Sequence, residues 1–130
     1  MLALVVARPG LVRDGLSALL SATPDVRQVV QVEDTDSAWD FVQTVCPDLI
    51  IFHVSPLTTE LVDFIKQGKD FCDSPLLMIV KDELERKTAV SLGPDLVIME
   101  GIPSAKLATY ITTLLKQQSE AQPIQLKENN

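Results

Sequence analysis

The chain has 130 residues, of which 46% are hydrophobic, so it is long enough for one domain with a real core. Its 11 basic and 18 acidic residues give a net charge of -7, the wrong sign for a surface that binds nucleic acid or anionic lipid. Because no apolar run approaches the ~20 residues that span a bilayer, and the N-terminus lacks the features of a signal peptide, we expect a cytoplasmic protein with no membrane partner.

Five apolar runs predict five short strands. They cover residues 2–6, 28–32, 49–54, 76–80 and 96–99. The third run lies between Pro47 and Pro56 and does not alternate with polar residues, which is typical of a central strand covered on both faces. The second run carries Gln28 and Gln31, which indicate an edge strand.

The segments between these runs predict five helices, each with apolar residues at helical spacing. Helix one covers residues 11–22, helix two follows the capping group 34–37, helix three follows residues 58–59 and ends near Gly68, and helix four ends near Gly93. Helix two is expected to bury Ala38, Phe41, Val42 and Val45, with Trp39 on its flank; helix five, opened by Pro103 and Ser104, is expected to bury Leu107, Tyr110, Ile111 and Leu114. Helix four is rich in charge and should pack least firmly.

Strands that alternate with helices predict a parallel sheet with helices on both faces, because parallel strands need right-handed crossovers. A flavodoxin-like order 2-1-3-4-5 places the glutamine-bearing strand at an edge. We expect one domain over residues 1–116, followed by a polar tail or linker over residues 117–130.

His53, the only histidine of the chain, lies near the carboxyl end of the predicted central strand, where open parallel sheets bind ligands. Cys46 and Cys72 lack metal-ligand spacing, so we expect no metal site and no cofactor, and two reduced, half-buried thiols. The alternative for the cysteines is a disulfide, because the predicted fold puts both near the ends of neighbouring helices on one face of the sheet.

Three segments resemble the receiver domains of two-component response regulators, above all those that precede LuxR-type DNA-binding domains. The segments are residues 11–16 (Leu-Val-Arg-Asp-Gly-Leu), 47–51 (Pro-Asp-Leu-Ile-Ile) and 92–96 (Leu-Gly-Pro-Asp-Leu), and the similarity extends from about Leu2 to Leu115. The resemblance implies a CheY-like fold. It also implies a site in which an acidic pair follows strand one, a phosphate-accepting aspartate ends strand three, a threonine or serine ends strand four and a lysine ends strand five.

At the matching positions this sequence has Ala7 and Arg8, His53, Val80 and Glu100. Mg²⁺ needs oxygen ligands that include carboxylates, and formation of an aspartyl phosphate needs a carboxylate nucleophile. The resemblance therefore implies a receiver with a degenerate site, a pseudo-receiver that is not an enzyme and does not undergo Mg²⁺-dependent aspartyl phosphorylation.

We interpret the chain as a signalling module that acts by forming a homodimer or binding a protein partner, through helix one or through helix four, strand five and helix five. The alternative is a receiver that still accepts a phosphoryl group on His53 or a nearby acid and controls a transcriptional output domain. A flavodoxin-like enzyme is disfavoured because no glycine-rich phosphate loop follows strand one. The sequence leaves open whether a DNA-binding domain follows residue 130.

Arg8 and Glu100 repeat the family's acid and lysine with their signs exchanged. We expect these two side chains to form an ion pair within about 4 Å, with His53 close by, or alternatively to point into solvent.

Overall fold

A computed structural model describes residues 1–53, 58–68 and 72–128, with side chains in the last range as far as residue 116. The strands are β1 Leu2–Ala7, β2 Gln28–Val32, β3 Leu49–His53, β4 Leu76–Val80 and β5 Leu96–Met99. The helices are α1 Leu11–Ser21, α2 Thr35–Val42, α3 Thr59–Gly68, α4 Glu83–Ser91 and α5 Ser104–Glu128. Val54 and Pro56, which entered the prediction of the central strand, lie outside the described residues.

The five strands form one parallel sheet in the order β2-β1-β3-β4-β5, as predicted. β2 lies at the edge, in agreement with its glutamines, and β3 lies in the centre between β1 and β4. The register aligns Ala7 with His53, so the last residues of β1 and β3 lie side by side at the carboxyl edge of the sheet.

The sheet is covered on both faces because alternate residues of the buried strands point to opposite sides. One face packs against α1 and α5, and the other packs against α2, α3 and α4. The first core contains Val5, Ile51, Leu77, Leu16, Leu20, Ile111 and Leu115. The second contains Val6, Phe52, Met78, Ala38, Leu61, Phe64 and Ala89.

The two Pro-Asp-Leu segments align the amino ends of the strands. A side-chain oxygen of Asp48 accepts a hydrogen bond from the N–H of Leu2 at 2.8 Å, and Asp95 does the same for Leu76 at 2.7 Å. The N–H groups of Asp48 and Asp95 donate in return to the carbonyls of Leu2 and Leu76. Each aspartate thus satisfies the backbone of the first residue of a neighbouring strand, which fixes its register.

Two residues predicted to face the core do not. α2 ends at Val42, and the carbonyl of Phe41 accepts hydrogen bonds from residues 44 and 45, so the chain turns there and leaves Val45 42% exposed. Pro47 disfavours a helical conformation in Cys46, the residue before it. In α5, Tyr110 is 36% exposed, and Leu115 supplies the buried contact instead.

Helix α4 buries only Ala89 among its nine residues, in agreement with its charged sequence. Helix α5 continues through residues 117–128, part of the predicted tail. None of the helices in the described ranges combines the length and the apolarity needed to cross a membrane.

The cysteines were predicted wrongly as two reduced, half-buried thiols. Cys46 and Cys72 are joined by a disulfide, with Cα atoms 5.6 Å apart. Cys46 is exposed and Cys72 is buried. The alternative that the fold brings these two residues together is correct, because β3 and β4 are neighbours and each cysteine lies shortly before one of them.

Candidate functional site

An open cleft of about 540 Å³ lies at the carboxyl edge of the sheet, beyond the ends of β1 and β3. It is bounded by the loop that leads into α1, the loop that leads into α2 and the start of α3. The cleft is lined by Arg8, Pro9, Gly10, Leu11, Val12, Glu33, Asp34, Thr35, Asp36, His53, Thr58 and Glu60. Its position agrees with the general location of ligand sites in parallel sheets.

His53 lies at the end of β3 and is bound by Glu100. The Nε2 atom of His53 lies 2.9 Å from Oε2 of Glu100, a distance that makes a hydrogen bond and, with a protonated imidazole, an ion pair. The side chains are 21% and 38% exposed, so the contact is partly shielded from water. The chain's single histidine is thus already engaged by a carboxylate.

Glu100 reaches His53 because the backbone around it is held to the neighbouring strand. It follows β5 directly, and its N–H donates to the carbonyl of Val80 at 2.8 Å. Gly101 has φ +86°, a conformation that L side chains rarely adopt, and turns the chain towards α5. The side-chain bond therefore runs from the end of β5 to the end of β3, across the end of β4.

Arg8 lines the same cleft but does not contact Glu100. The ion pair that Glu100 forms in the described part of the chain is with His53, at 2.9 Å. The expected pair between Arg8 and Glu100 is therefore wrong. The physical reason is the strand order: β3 and β4 both separate β1 from β5, and His53 on β3 is nearer to Glu100.

Ala7 and Val80, the last residues of β1 and β4, carry aliphatic side chains that belong to the core. Both are buried, with 0% and 1% of their surface exposed. The carbonyl of Ala7 accepts a hydrogen bond at 3.4 Å from Arg13, which reaches back from α1. Since Val80 carries no hydroxyl and Ala7 no carboxylate, neither side chain can bind a cation or a phosphoryl group.

The cleft is also lined by four acidic residues that were not predicted to lie there: Glu33, Asp34, Asp36 and Glu60. Asp34 was considered only as a helix cap, and it does cap α2: its Oδ1 accepts from the N–H of Ser37 at 2.8 Å. The backbone N–H of Ser37, with help from its side chain, lowers the pKa of Asp34. A usable signal was the position of residues 33–36 directly after β2, at the same edge as His53.

The receiver domains that the sequence resembles imply a bound Mg²⁺ ion at this edge of the sheet. Mg²⁺ requires near-octahedral oxygen ligands. Within residues 1–53, 58–68 and 72–128, no group of three or more histidine, cysteine or acidic side chains is arranged to hold a metal. Arg8 brings a positive charge to the cleft, and Asp34 caps a helix. The residues present do not fit the ion.

Comparison with protein-family models gives no match, and comparison with curated protein sequences gives none either. Solved structures do match. A LuxR family DNA-binding response regulator from Silicibacter pomeroyi is 23% identical, with a TM-score of 0.73, over 89% of this chain and 92% of that one. The receiver domain of a signal transduction histidine kinase from Syntrophus aciditrophicus is 22% identical, with a TM-score of 0.72, over 88% and 89% of the two chains.

A third structure provides a contrast at the cleft. The receiver domain of a sensor histidine kinase from Pseudomonas aeruginosa, solved with a magnesium ion coordinated in its active-site cleft, is 15% identical, with a TM-score of 0.72 over 88% of this chain and 97% of that one. Identities of this size establish the fold and leave the chemistry to the residues of each chain. The chain therefore has the CheY-like fold of response-regulator receiver domains.

Proposed function

We propose that the chain is a pseudo-receiver, a non-catalytic signalling module of a two-component-type response regulator that acts through protein contacts without Mg²⁺-dependent aspartyl phosphorylation. The observation that carries this proposal is the bond between His53 and Glu100. These two residues stand where the receivers that the sequence resembles have a phosphate-accepting aspartate and a lysine. This chain thus has an imidazole in place of the family's carboxylate and a carboxylate in place of its cation.

Each of the two replacements acts against phosphoryl transfer. A phosphoryl group is an anion, so the carboxylate of Glu100 repels it at the position where a lysine would attract it. Nε2 of His53 is engaged by Glu100, and an imidazole cannot form the acyl phosphate of a carboxylate nucleophile. Phosphoryl transfer to an aspartate also needs Mg²⁺, and the donor atoms of the cleft do not fit that ion.

A module without chemistry acts by contact, and exposed apolar side chains indicate where. In the described part of the chain the large exposed apolar residues are Leu11, Val45, Leu84, Val90 and Tyr110. Three of them lie on α4 and α5, and Leu84 is 76% exposed. This distribution favours the surface formed by α4, β5 and α5 over α1. We take a second copy of the chain as its partner, because closed two-fold dimers are the commonest soluble assemblies.

Phosphate mimicry tests the first half of the proposal. Beryllofluoride with Mg²⁺ should leave the melting temperature unchanged, whereas a ligand at about 100 times its dissociation constant would add about 2.7 kcal/mol to the stability of the native state. A receiver that retains its acidic pair and aspartate serves as the positive control. An upward shift that needs both Mg²⁺ and beryllofluoride would refute the proposal.

Acetyl phosphate with Mg²⁺ separates the proposal from the alternative route. The intact mass should show no phosphoryl adduct. An adduct that is lost in a His53→Ala variant would establish phosphorylation of the histidine instead. An adduct that persists in that variant would point to a nearby acid, and either adduct would overturn the non-phosphorylated reading.

Sedimentation at several concentrations tests the second half. We expect a reversible dimer that the Leu84→Glu variant weakens, because a charge would replace the most exposed side chain of the proposed surface. Leu11→Glu is the matched control, since Leu11 is 90% exposed on α1 and lies outside that surface. A protein that stays monomeric up to high micromolar concentration would exclude the homodimer.

A further inference from the structure

The disulfide between Cys46 and Cys72 lies at the amino edge of the sheet, opposite the cleft. Cys46 lies in the loop between α2 and β3, and Cys72 lies shortly before β4. The N–H of Cys72 also donates to the carbonyl of Gly68, the last residue of α3, at 2.9 Å. The bond thus ties the end of α2 to the segment that follows α3.

Hydrogen bonds hold the two cysteine-bearing loops together independently of the sulfur atoms. The hydroxyl of Ser74, which is buried, donates to the carbonyl of Pro47. The N–H of Ile50 donates to the carbonyl of Pro75 at 3.0 Å. Both contacts lie within four residues of the cysteines and need no disulfide. With the sulfurs reduced, these contacts keep the thiols close, so that closure of the bond remains an intramolecular step with a high effective concentration.

The two cysteines differ in exposure. Cys46 is exposed, whereas Cys72 is 8% exposed and packs in the core with α2 and α3. Exchange begins when a thiolate attacks a disulfide sulfur in line, so the sulfur that an external molecule can reach decides where the reaction starts. Here that sulfur is Cys46.

We propose that Cys46 and Cys72 form a reversible redox site that exchanges with low-molecular-weight thiols and disulfides, with Cys46 as the reacting sulfur and Cys72 as the resolving one. This inference does not depend on the proposed function, since it concerns the edge of the sheet opposite the cleft. It assigns a modification site to a part of the fold that the cleft does not use.

The chemistry balances in both directions. In oxidation, the thiolate of Cys46 attacks a small disulfide, forms a mixed disulfide and releases one small thiolate. The thiolate of Cys72 then attacks the sulfur of Cys46, which closes the protein disulfide and releases the second small thiolate. The two protein thiols lose two protons and two electrons, and the small disulfide is reduced to two thiols. Reduction reverses these steps, and an external thiolate attacks Cys46 first.

Glutathione and its disulfide serve as probes for the test, with the unmodified protein folded throughout. The protein is equilibrated at a series of ratios, quenched with acid and alkylated, and the mass of the product gives the oxidised fraction. We expect full reduction by excess thiol, full reoxidation by excess disulfide, and an unchanged far-ultraviolet circular dichroism spectrum. If Cys46 and Cys72 stay reduced in excess glutathione disulfide, the proposal is overturned. A disulfide that excess thiol opens only after unfolding would overturn it as well.

Single variants test the assignment of roles. Cys72→Ser should accumulate a stable mixed disulfide with glutathione at Cys46, because no resolving thiol remains. Cys46→Ser should react about tenfold more slowly or less with the same reagent, because its remaining thiol is buried. Equal rates in the two variants would refute the assignment. The reduced unmodified protein provides an independent check, since partial alkylation followed by peptide mapping should label Cys46 first.

Discussion

The bond between His53 and Glu100 predicts an energetic coupling that the combination of Arg8 with Glu100 should lack. We consider the variants His53→Ala, Glu100→Ala and the double variant, compared in a double-mutant cycle. The matched control is the cycle that combines Arg8→Ala with Glu100→Ala. It removes the same carboxylate together with a cation that lines the same cleft and forms no ion pair with it.

The magnitude follows from the geometry. Unit charges 2.9 Å apart attract by about 1.4 kcal/mol in a medium with the dielectric constant of water, and partial burial strengthens the attraction. The ordering of two side chains that are 21% and 38% exposed offsets part of this gain. We expect a coupling of about 0.5 to 1 kcal/mol.

Urea unfolding followed by the fluorescence of Trp39, the single tryptophan, measures the free energy of unfolding of each variant. A coupling of 1 kcal/mol corresponds to about 4 °C in the melting temperature of a domain of this size, so thermal scans provide a second reading. Additivity of His53→Ala and Glu100→Ala within about 0.3 kcal/mol would refute the reasoning. So would a coupling in the Arg8 control cycle as large as that of His53.

Three further predictions concern the stability of the fold. Phe64→Ala should lower the free energy of unfolding by about 3–5 kcal/mol, because Phe64 is buried and its ring centroid lies 5.2 Å from that of Trp39. Urea unfolding measures this loss, and the Phe64→Leu control should lose clearly less. The pKa of Asp34 is lowered, so its charge contributes stability above its unfolded-state value of 3.8, and this contribution is lost as the pH falls through the lower folded-state pKa. The stability difference between the unmodified protein and Asp34→Asn should therefore shrink between about pH 7 and about pH 3, and a constant difference would contradict the lowered pKa. Gly15→Ala should stabilise the protein by about 0.5–1 kcal/mol, because nothing lies within 4 Å of the Cβ added to α1. Gly101→Ala should destabilise it by about 1 kcal/mol, because Gly101 has φ +86°. Shifts of the melting temperature in the same direction for both variants would contradict the argument.

The sheet could be predicted because its signals are local. Apolar runs that do not alternate mark the buried strands, and Gln28 and Gln31 mark the edge; the order of the strands follows once the rules for parallel crossovers are added. Tyr110 and Val45 were misplaced for a different reason. Helical spacing identifies a stripe of residues, but only the end of the helix and the packing of its neighbours decide which members of that stripe reach the core.

The pairing in the cleft was harder, because it depends on distances across the sheet. Neighbouring strands lie about 4.8 Å apart, so the ends of β1 and β5 are about 14 Å apart and those of β3 and β5 about 10 Å. The predicted strand order therefore already favoured His53 over Arg8 as the partner of Glu100. Asp34 and Asp36 were missed because a capping role accounted for them in the sequence, and only the shape of the loop places them at the cleft.

The bond that crosses the end of β4 also constrains how such a cleft changes over generations. If His53 were replaced first by an aspartate, two carboxylates would face one another across the space that the bond now spans, and both could not remain ionised at low cost. If Glu100 were replaced first by a lysine, the new cation would meet an imidazole that can stay neutral, which is tolerable. A mutational path between this cleft and one that accepts phosphate therefore has a preferred direction, in which position 100 changes before position 53.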